Sequence, residues 1–221
     1  MHLTIVAATG GIGRELLRQA VAAGHDVTAV VRDPAKVGAS VRVVQVDLAE
    51  PDPTALETAV KDADAVVSAL GARTSADTGV AERGTRAIVD AMRATGVRRL
   101  VVVSAAPIGT VPSPDRPHPP RHDPGDGFFM RHLGARFART AFRTHYADLA
   151  RMEDVVRASG LDWTISRPPK LTHGPLTGRY RTALGRNVRG GFSVSRADVA
   201  HQMLQCLARP ETVHRTVGVA A

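Results

Sequence analysis

A glycine cluster joins the first apolar segment of the chain to its first amphipathic segment. Residues 3–7 are apolar, Gly10, Gly11 and Gly13 follow, and residues 16–21 then have helical spacing. Glycines at the start of a helix let a phosphate approach its unpaired N–H groups, and Gly13 permits close packing of helix on strand. A tight structural turn would use the same residues. The position between a strand and a helix favours a dinucleotide-binding turn.

The segments after this turn alternate between short apolar runs and amphipathic runs. Runs this apolar are typical of strands buried on both faces of a parallel sheet. The alternation therefore predicts an α/β fold of one domain, residues 1–221, with a doubly wound, mostly parallel sheet covered by helices on both faces. Strands are predicted at 3–7, 26–31, 41–46, 63–69, 100–103 and 161–166, with a small extra one at 180–184. Helices are predicted near 16–21, 56–60, 80–94, 128–148, 149–159 and 195–207, the last with Ser195 and Asp198 in capping-box spacing.

A proline-rich stretch interrupts this alternation. Residues 107–127 contain seven prolines and three glycines, so no regular element is expected there. The helical segment after it carries Arg136, Arg139 and Arg143 on one side. A structureless stretch this long in a compact domain is usually functional or disordered. We expect residues 107–143 to form an insertion or lid that attracts an anionic acceptor such as FMN, with a solvated basic face as the alternative.

Composition limits the classes of function. No apolar run approaches the roughly 18 residues of a membrane helix, and the N-terminus lacks signal-peptide features, so a cytoplasmic protein without membrane contact is expected. The single cysteine, Cys206, excludes a disulfide framework. His118 and His122 lie among prolines that prevent a shared helix face, so no metal site is predicted. The net charge of +8 is mostly arginine and aromatics are only 4%, so nucleic-acid binding is not favoured.

Two cations follow the second predicted strand, where dinucleotide-binding domains choose between nicotinamide cofactors. A carboxylate about 20 residues past the glycines would accept a ribose 2′-hydroxyl. Arg32 occupies this place, and Lys36 follows four residues later. Cations suit a 2′-phosphate, so the predicted cofactor is NADP(H) rather than NAD(H). We interpret the adjacent Asp33 as a cap before Pro34.

The exits of the third and fourth predicted strands supply further contacts. Asp47 and Leu48 fit an adenine contact, although an ordinary strand exit has the same composition. Gly71 and Arg73 follow the fourth strand, where the chain must pass close to the pyrophosphate. A solvated loop is the alternative for Arg73.

These motifs together resemble the atypical short-chain dehydrogenase/reductases that bind NAD(P)H, in particular the flavin reductase and biliverdin IXβ reductase type, an NmrA-like group. The resemblance covers most of the chain except residues 107–143. It implies a single-domain Rossmann fold, a monomer or weak dimer, and NADPH-dependent hydride transfer to a flavin, quinone or similar flat acceptor. It rests on ATGGIG at 8–13, VRD at 31–33, LGAR at 70–73, GTRAIV at 84–89, SGL at 159–161, RPP at 167–169 and PLTGRY at 175–180.

The resemblance also implies contacts with the cofactor. Arg32 and Lys36 match the positions that hold the 2′-phosphate in the family, and Arg73 matches an arginine that lies against the cofactor. The residues and the resemblance together predict this cofactor-binding set: Thr9, Gly10, Gly11, Ile12, Gly13, Arg32, Lys36, Asp47, Leu48, Leu70, Gly71, Arg73, Ser104 and Pro168.

The chain departs from the family pattern at three positions. The first glycine of the family turn is Ala7 here, which tightens the turn for a ligand. The active-site serine of the family falls at Ala105, one place after Ser104. The histidine that follows the Pro-Pro pair falls at Lys170.

The Tyr-x-x-x-Lys pair of ordinary short-chain dehydrogenases is not found at Tyr146, which Ala150 follows four residues later. Alcohol–ketone chemistry is therefore disfavoured, whereas reduced flavins and quinones can take protons from water. A non-catalytic NADP(H) sensor of the NmrA-like type, which reports to a protein partner, is the alternative function. The candidate catalytic helpers are Ser104, Tyr146, Lys170 and His173.

Overall fold

The computed structural model describes residues 1–38, 41–72, 77–125 and 143–221. Ten strands and five α-helices lie within this described part of the chain. The strands are β1 (His2–Val6), β2 (Asp26–Val31), β3 (Arg42–Gln45), β4 (Ala65–Ser68), β5 (Arg99–Val103), β6 (Asp162–Arg167), β7 (Lys170–Thr172), β8 (Arg181–Leu184), β9 (Ser193–Ser195) and β10 (Arg215–Ala220). The helices are α1 (Gly11–Ala22), α2 (Pro53–Val60), α3 (Val80–Thr95), α4 (Arg143–Arg157) and α5 (Arg196–Gln205).

The central sheet has eight strands in the order β3-β2-β1-β4-β5-β6-β10-β8. All neighbours are parallel except β8, which pairs antiparallel with β10 at the edge. The chain winds outward from β1 in both directions, with β2 on one side of it and β4 on the other. Ligands bind such sheets at the carboxyl ends of the strands next to this switch in direction. The doubly wound Rossmann fold is confirmed.

Two apolar cores cover the two faces of this sheet. Leu16 and Leu17 of α1 pack with Val199 and Met203 of α5 on one face. Helices α2, α3 and α4 cover the other face, where Met92 of α3 is fully buried. Helices on both faces require crossover connections between parallel strands, and they leave the carboxyl edge of the sheet open.

Several elements differ from the sequence predictions. Strand β10 was not predicted, because its six residues include Gly218 and no turn signal isolates them; the pairing of Val217 with Ser166 of β6 makes it a strand. The three-residue strands β7 and β9 were also missed. The predicted break between residues 148 and 149 is wrong, since α4 continues through Asp148 and Leu149, and both are buried.

The proline-rich segment packs onto the domain as far as residue 125. The Ser113 hydroxyl donates to Asp154 on α4 (3.0 Å), and Asp123 accepts from the backbone N–H groups of Gly125 and Asn187 (both 2.8 Å). These buried contacts hold residues 107–125 without a helix beyond the 3₁₀ turn Ala106–Thr110. The predicted basic residues Arg136 and Arg139 lie outside the described residues, so the lid stays a prediction.

Candidate cofactor-binding site

A cavity of about 290 Å³ opens at the carboxyl edge of the sheet, beside the switch in strand direction. The exits of β1 to β5 all contribute to its wall. Parallel strands bring these exits to one edge although they are far apart in sequence. The predicted cofactor-binding residues that line the cavity are Thr9, Gly10, Gly11, Ile12, Arg32, Asp47, Leu48, Leu70, Gly71 and Ser104.

Three predicted cofactor-binding residues within the described ranges are not on the cavity wall. Gly13 is buried and Lys36 is exposed. Pro168 is buried, and its carbonyl accepts from Ala106 N–H (2.9 Å). Arg73 falls in residues 73–76, outside the described part of the chain. The cavity therefore collects predicted residues at the exits of β1 to β5 but not Pro168 at the exit of β6.

The glycine turn presents the start of α1 to the cavity. Gly10 is the N-cap residue, no described side chain caps the helix, and its first turn carries no acidic residue. The N–H groups at this end have no partner within the helix, and the helix dipole makes this end positive. Ala7 closes the turn in the left-handed region at φ 58°, a conformation that glycine adopts more readily.

At each of the three glycines of this turn, different atoms lie where a side chain would be. A Cβ on Gly13 would lie 2.1 Å from the Ala7 carbonyl oxygen, so Gly13 allows α1 to pack directly on the end of β1. A Cβ on Gly11 would lie 2.7 Å from Nε of Arg196, which crosses the turn from α5. Gly10 is less constrained, with 3.2 Å to the same Ala7 oxygen.

Arg32 extends from the end of β2 along the cavity wall. Its side chain is 58% exposed, and its Nη1 lies 4.0 Å from Oδ1 of Asp77, which also lines the cavity. Lys36 instead pairs with Asp33 at 2.8 Å. Asp33 caps the short turn that follows by accepting from Ala35 N–H, as the sequence predicted. The hydrogen bond from Lys36 lowers the pKa of the Asp33 carboxyl.

An apolar wall faces these charges across the cavity. Leu48 and Leu70 are buried and pack over Gly84 of α3, where a Cβ would come within 2.6 Å of Leu70 Cδ2. Asp47 is exposed, and its carboxylate accepts from Ala49 N–H (3.0 Å). This wall offers a flat apolar surface of the kind that an adenine ring requires.

Ser104 stands at the end of β5 and connects the cavity to a buried ion pair. Its hydroxyl donates to Oε1 of Glu153 (2.7 Å), and Arg167 binds the same carboxylate with two N–H groups (2.9 and 2.5 Å). Arg157 adds a third charged contact at 2.5 Å. Burial would raise the pKa of the Glu153 carboxyl, but the two arginines and the Ser104 hydroxyl hold it below its ordinary value. Glu153 is therefore a carboxylate that accepts from Ser104.

The other three candidate catalytic residues are not on the cavity wall. Tyr146 is half-buried on α4 against the core, and burial raises the pKa of its phenol. Lys170 and His173 are exposed at and after β7, whereas their neighbour Leu171 lines the cavity. Only Ser104 of the predicted catalytic set reaches the cavity.

Sequence analysis missed several residues that line the cavity. His145 and Leu149 of α4 are four residues apart and thus lie on one helix face, a signal that could have been used. Burial lowers the pKa of the His145 imidazole, although the charge of Asp148 acts in the opposite direction. Asp77 and Arg196 were also missed; their roles depend on contacts between distant segments.

The residues present fit a dinucleotide. The uncapped start of α1 and the guanidinium groups of Arg32 and Arg196 provide positive charge for phosphates. Leu48 and Leu70 provide an apolar wall for a base. No group of three or more metal-ligating side chains occurs among the described residues. No helix in the described ranges is long and apolar enough to cross a membrane.

Fold and site together define a Rossmann-type nucleotide-binding protein. The sequence pattern of the NAD(P)H-binding family matches residues 7–210, and the chain belongs to this family. It is also similar to UPF0659 protein C216.03 of Schizosaccharomyces pombe, with 31% identity over 98% of this chain and 90% of the relative. The uncharacterized protein YwnB of Bacillus subtilis is 29% identical over 96% of this chain and 94% of its own length.

Solved structures of reductases share the fold. A short-chain dehydrogenase/reductase of Veillonella parvula, solved in complex with NADP, superposes with a TM-score of 0.78 at 19% identity, covering 100% of this chain and 94% of that one. The anaerobillin reductase ChuY of Escherichia coli O157:H7 gives 0.76 at 22% identity, covering 100% and 97%. A candidate NADH-flavin reductase of Streptococcus pneumoniae gives 0.75 at 23% identity, covering 100% and 99%.

Proposed function

We propose that this protein is a reductase that transfers a hydride from NADPH to a flat acceptor of the flavin or quinone class. The observation that carries the proposal is a single cavity that joins the glycine turn, Arg32 and Ser104. The turn would bind the diphosphate, Arg32 the 2′-phosphate, and the wall around Ser104 would hold the nicotinamide end. When bound, the cofactor supplies the hydride, and the protein contributes binding and orientation.

The preference for NADPH rests on Arg32. It is the cation on the cavity wall at the end of β2, where a carboxylate would favour NADH. Its side chain is mostly exposed and its neighbour Asp77 lies at 4.0 Å, so a phosphate could take that neighbour's place. Lys36, paired with Asp33, would have to exchange that partner to contribute.

The side chains on the described cavity wall support an acceptor of the flavin or quinone class. The Ser104 proton is bound to Glu153, and Tyr146, Lys170 and His173 are not on the wall. His145 does line the cavity, but burial lowers the pKa of its imidazole and so favours the neutral form. A flavin or quinone receives two electrons and one proton as hydride and takes its second proton from water. The chemistry thus needs stacking and positioning rather than a protein acid. The reductases ChuY and the S. pneumoniae protein share this fold and support the class of reaction.

One alternative, a non-catalytic NADP(H) sensor, is favoured by the same observation, that no candidate catalytic residue on the described wall offers a proton. A sensor needs the diphosphate and 2′-phosphate contacts but no proton donor. The two functions differ in turnover, because a sensor binds NADPH without oxidising it.

The test is NADPH oxidation by the purified protein with FMN and menadione as acceptors, with NADH alongside. The reductase proposal predicts turnover with NADPH above NADH, and loss of that preference by about tenfold in Arg32→Ala. The exposed Arg179, away from the cavity, gives the control Arg179→Ala, which keeps the preference. Tight NADPH binding without turnover would favour the sensor, and absence of NADPH binding would refute both.

A further inference from the structure

Arg196 crosses the glycine turn from the opposite side of the cavity. It is the first residue of α5, and its Cδ and Nε occupy the space that a Gly11 side chain would fill, at 2.8 and 2.7 Å from the ideal Cβ position. The missing side chain of Gly11 therefore makes room for an arginine as well as for a ligand. Nothing in the local sequence around Gly11 indicates this neighbour.

The backbone of Arg196 is held firmly against α1. Ser195 caps α5 by accepting from Asp198 N–H (2.9 Å). Gln19 of α1 donates to the Ala197 carbonyl oxygen at 2.9 Å, and both residues are buried. The start of α5 is thereby fixed beside the start of α1, so the Arg196 side chain emerges at the glycine turn.

The Arg196 guanidinium has N–H donors that remain available to a ligand. Its Nη1 donates to the Thr172 carbonyl oxygen at 3.1 Å, which leaves most of the five N–H donors of an arginine for other acceptors. No acidic side chain of the described residues forms an ion pair with it. An arginine that lines a cavity beside an uncapped helix start is suited to a phosphate, which it can bind with two parallel hydrogen bonds.

We propose that Arg196 clamps the diphosphate of the bound dinucleotide against the start of α1. This inference rests on the proposed cofactor site and adds a residue to it. The helix N–H groups would bind the diphosphate from one side and the guanidinium from the other, while Arg32 would serve the 2′-phosphate. The bond to Thr172 also ties the clamp to β7, whose Leu171 forms part of the same wall.

Fragments of the cofactor test whether Arg196 binds the diphosphate and Arg32 binds the 2′-phosphate. The affinities of NADPH, ADP and adenosine 2′-monophosphate are measured by calorimetry for the wild type, Arg196→Gln, Arg196→Lys and Arg32→Ala. Arg196→Gln should weaken NADPH and ADP by tenfold to a hundredfold and leave the 2′-monophosphate within about twofold. Arg196→Lys should recover part of the loss, because it keeps the charge without the fork. Arg32→Ala should weaken NADPH and the 2′-monophosphate but not ADP.

A matched control distinguishes a direct contact between Arg196 and the ligand from a general effect of positive charge near the site. Arg14→Gln removes an exposed cation from the first turns of α1 that does not line the cavity, and should leave all three affinities within about twofold. Thermal unfolding of each variant checks the fold. Unchanged ADP affinity in Arg196→Gln, with NADPH bound and oxidised by the wild type, would overturn this inference alone. Failure of the wild type to bind NADPH would overturn the proposed function as well.

Discussion

The hydroxyl of Ser104 donates its one proton to Glu153, 2.7 Å away and fully buried behind the cavity wall. Glu153 cannot return a proton, since Arg167 and Arg157 keep its pKa low. The Ser104 oxygen therefore presents only lone pairs to a ligand. A serine at the end of β5 would ordinarily be considered a proton donor, but here its geometry makes it an acceptor.

Replacing Ser104 by alanine tests this assignment. We expect Ser104→Ala to lower kcat for FMN or menadione reduction by less than tenfold and to leave its pH profile unchanged, because the serine supplies no proton. A proton donor would be worth about 10²–10⁴ in rate. A loss of that size, together with a changed pH profile, would show that Ser104 is the acid.

The Glu153 carboxylate should make stability depend on pH. Its pKa in the folded protein lies below the ordinary 4.5, so its contribution is present above that pH and is lost as the pH falls through the folded value. Glu153→Gln leaves the buried Arg167 without its carboxylate partner and the partly exposed Arg157 with only Asp154. It should cost about 3–5 kcal/mol at neutral pH. Urea unfolding at several pH values should show this difference narrowing below pH 4.5.

The exposed Glu57 on α2 provides the control for that experiment. Glu57→Gln removes the same charge without a buried partner, so its free energy of unfolding should stay within about 0.5 kcal/mol of the wild type. A cost for Glu153→Gln that does not change with pH would contradict the assigned ionisation of Glu153.

The glycines of the site should divide into structural and ligand-facing ones. Gly13→Ala places a methyl group 2.1 Å from the Ala7 oxygen and should destabilise the fold by about 1–3 kcal/mol. Gly71→Ala meets no atom of the described residues within 4 Å and should leave the melting temperature unchanged. Because Gly71 lines the cavity, the added methyl group should weaken NADPH binding. Equal destabilisation by both substitutions would contradict this division.

The left-handed conformation of Ala7 should make it a site for stabilisation. A non-glycine residue in this region costs roughly 1–2 kcal/mol. Glycine avoids that cost, but it loses more conformational entropy on folding, and this loss offsets part of the gain in stability. Ala7→Gly should therefore raise the free energy of unfolding by about 0.5 kcal/mol. Ala8 is the next residue, is buried and has no positive φ. Ala8→Gly should therefore lower the free energy of unfolding. Destabilisation by both would show that the Ala7 methyl group matters more than its φ.

Asp77 should reduce the preference for NADPH. Its carboxylate lies 4.0 Å from the Arg32 guanidinium and would repel a 2′-phosphate bound there. Asp77→Asn should raise the NADPH/NADH ratio of kcat/KM about twofold to fivefold, a small effect because Arg32 is mostly exposed and the charges are 4.0 Å apart. Asp90→Asn removes a carboxylate of α3 that is away from the cavity and more exposed (64% against 24% for Asp77), and should leave the ratio unchanged. A lower ratio in Asp77→Asn would indicate that Asp77 orients Arg32.

Most of the fold could be predicted from patterns within single segments. Near-continuous apolar runs at β1, β2 and β4 indicate strands buried on both faces, and the amphipathic runs between them indicate the covering helices. Strand β10 could not be predicted, because its pairing with β6 across the chain makes its six residues a strand. The length of α4 depends likewise on burial of Asp148, whose carboxylate caps the start of α3.

The glycine turn, the cation at Arg32 and the strand exits that line the cavity could be predicted, because each depends on residues close together in the chain. The remaining features arise from side chains of distant segments, which meet only after folding. Tertiary structure placed Arg196 over Gly11, and it directed the Ser104 proton to Glu153. It also left Lys170 and His173 off the cavity wall that Leu171 lines. Side chains alternate along β7, so Lys170 and Leu171 face opposite ways. Local pattern specifies where a site can form, and packing between distant elements decides which side chains complete it.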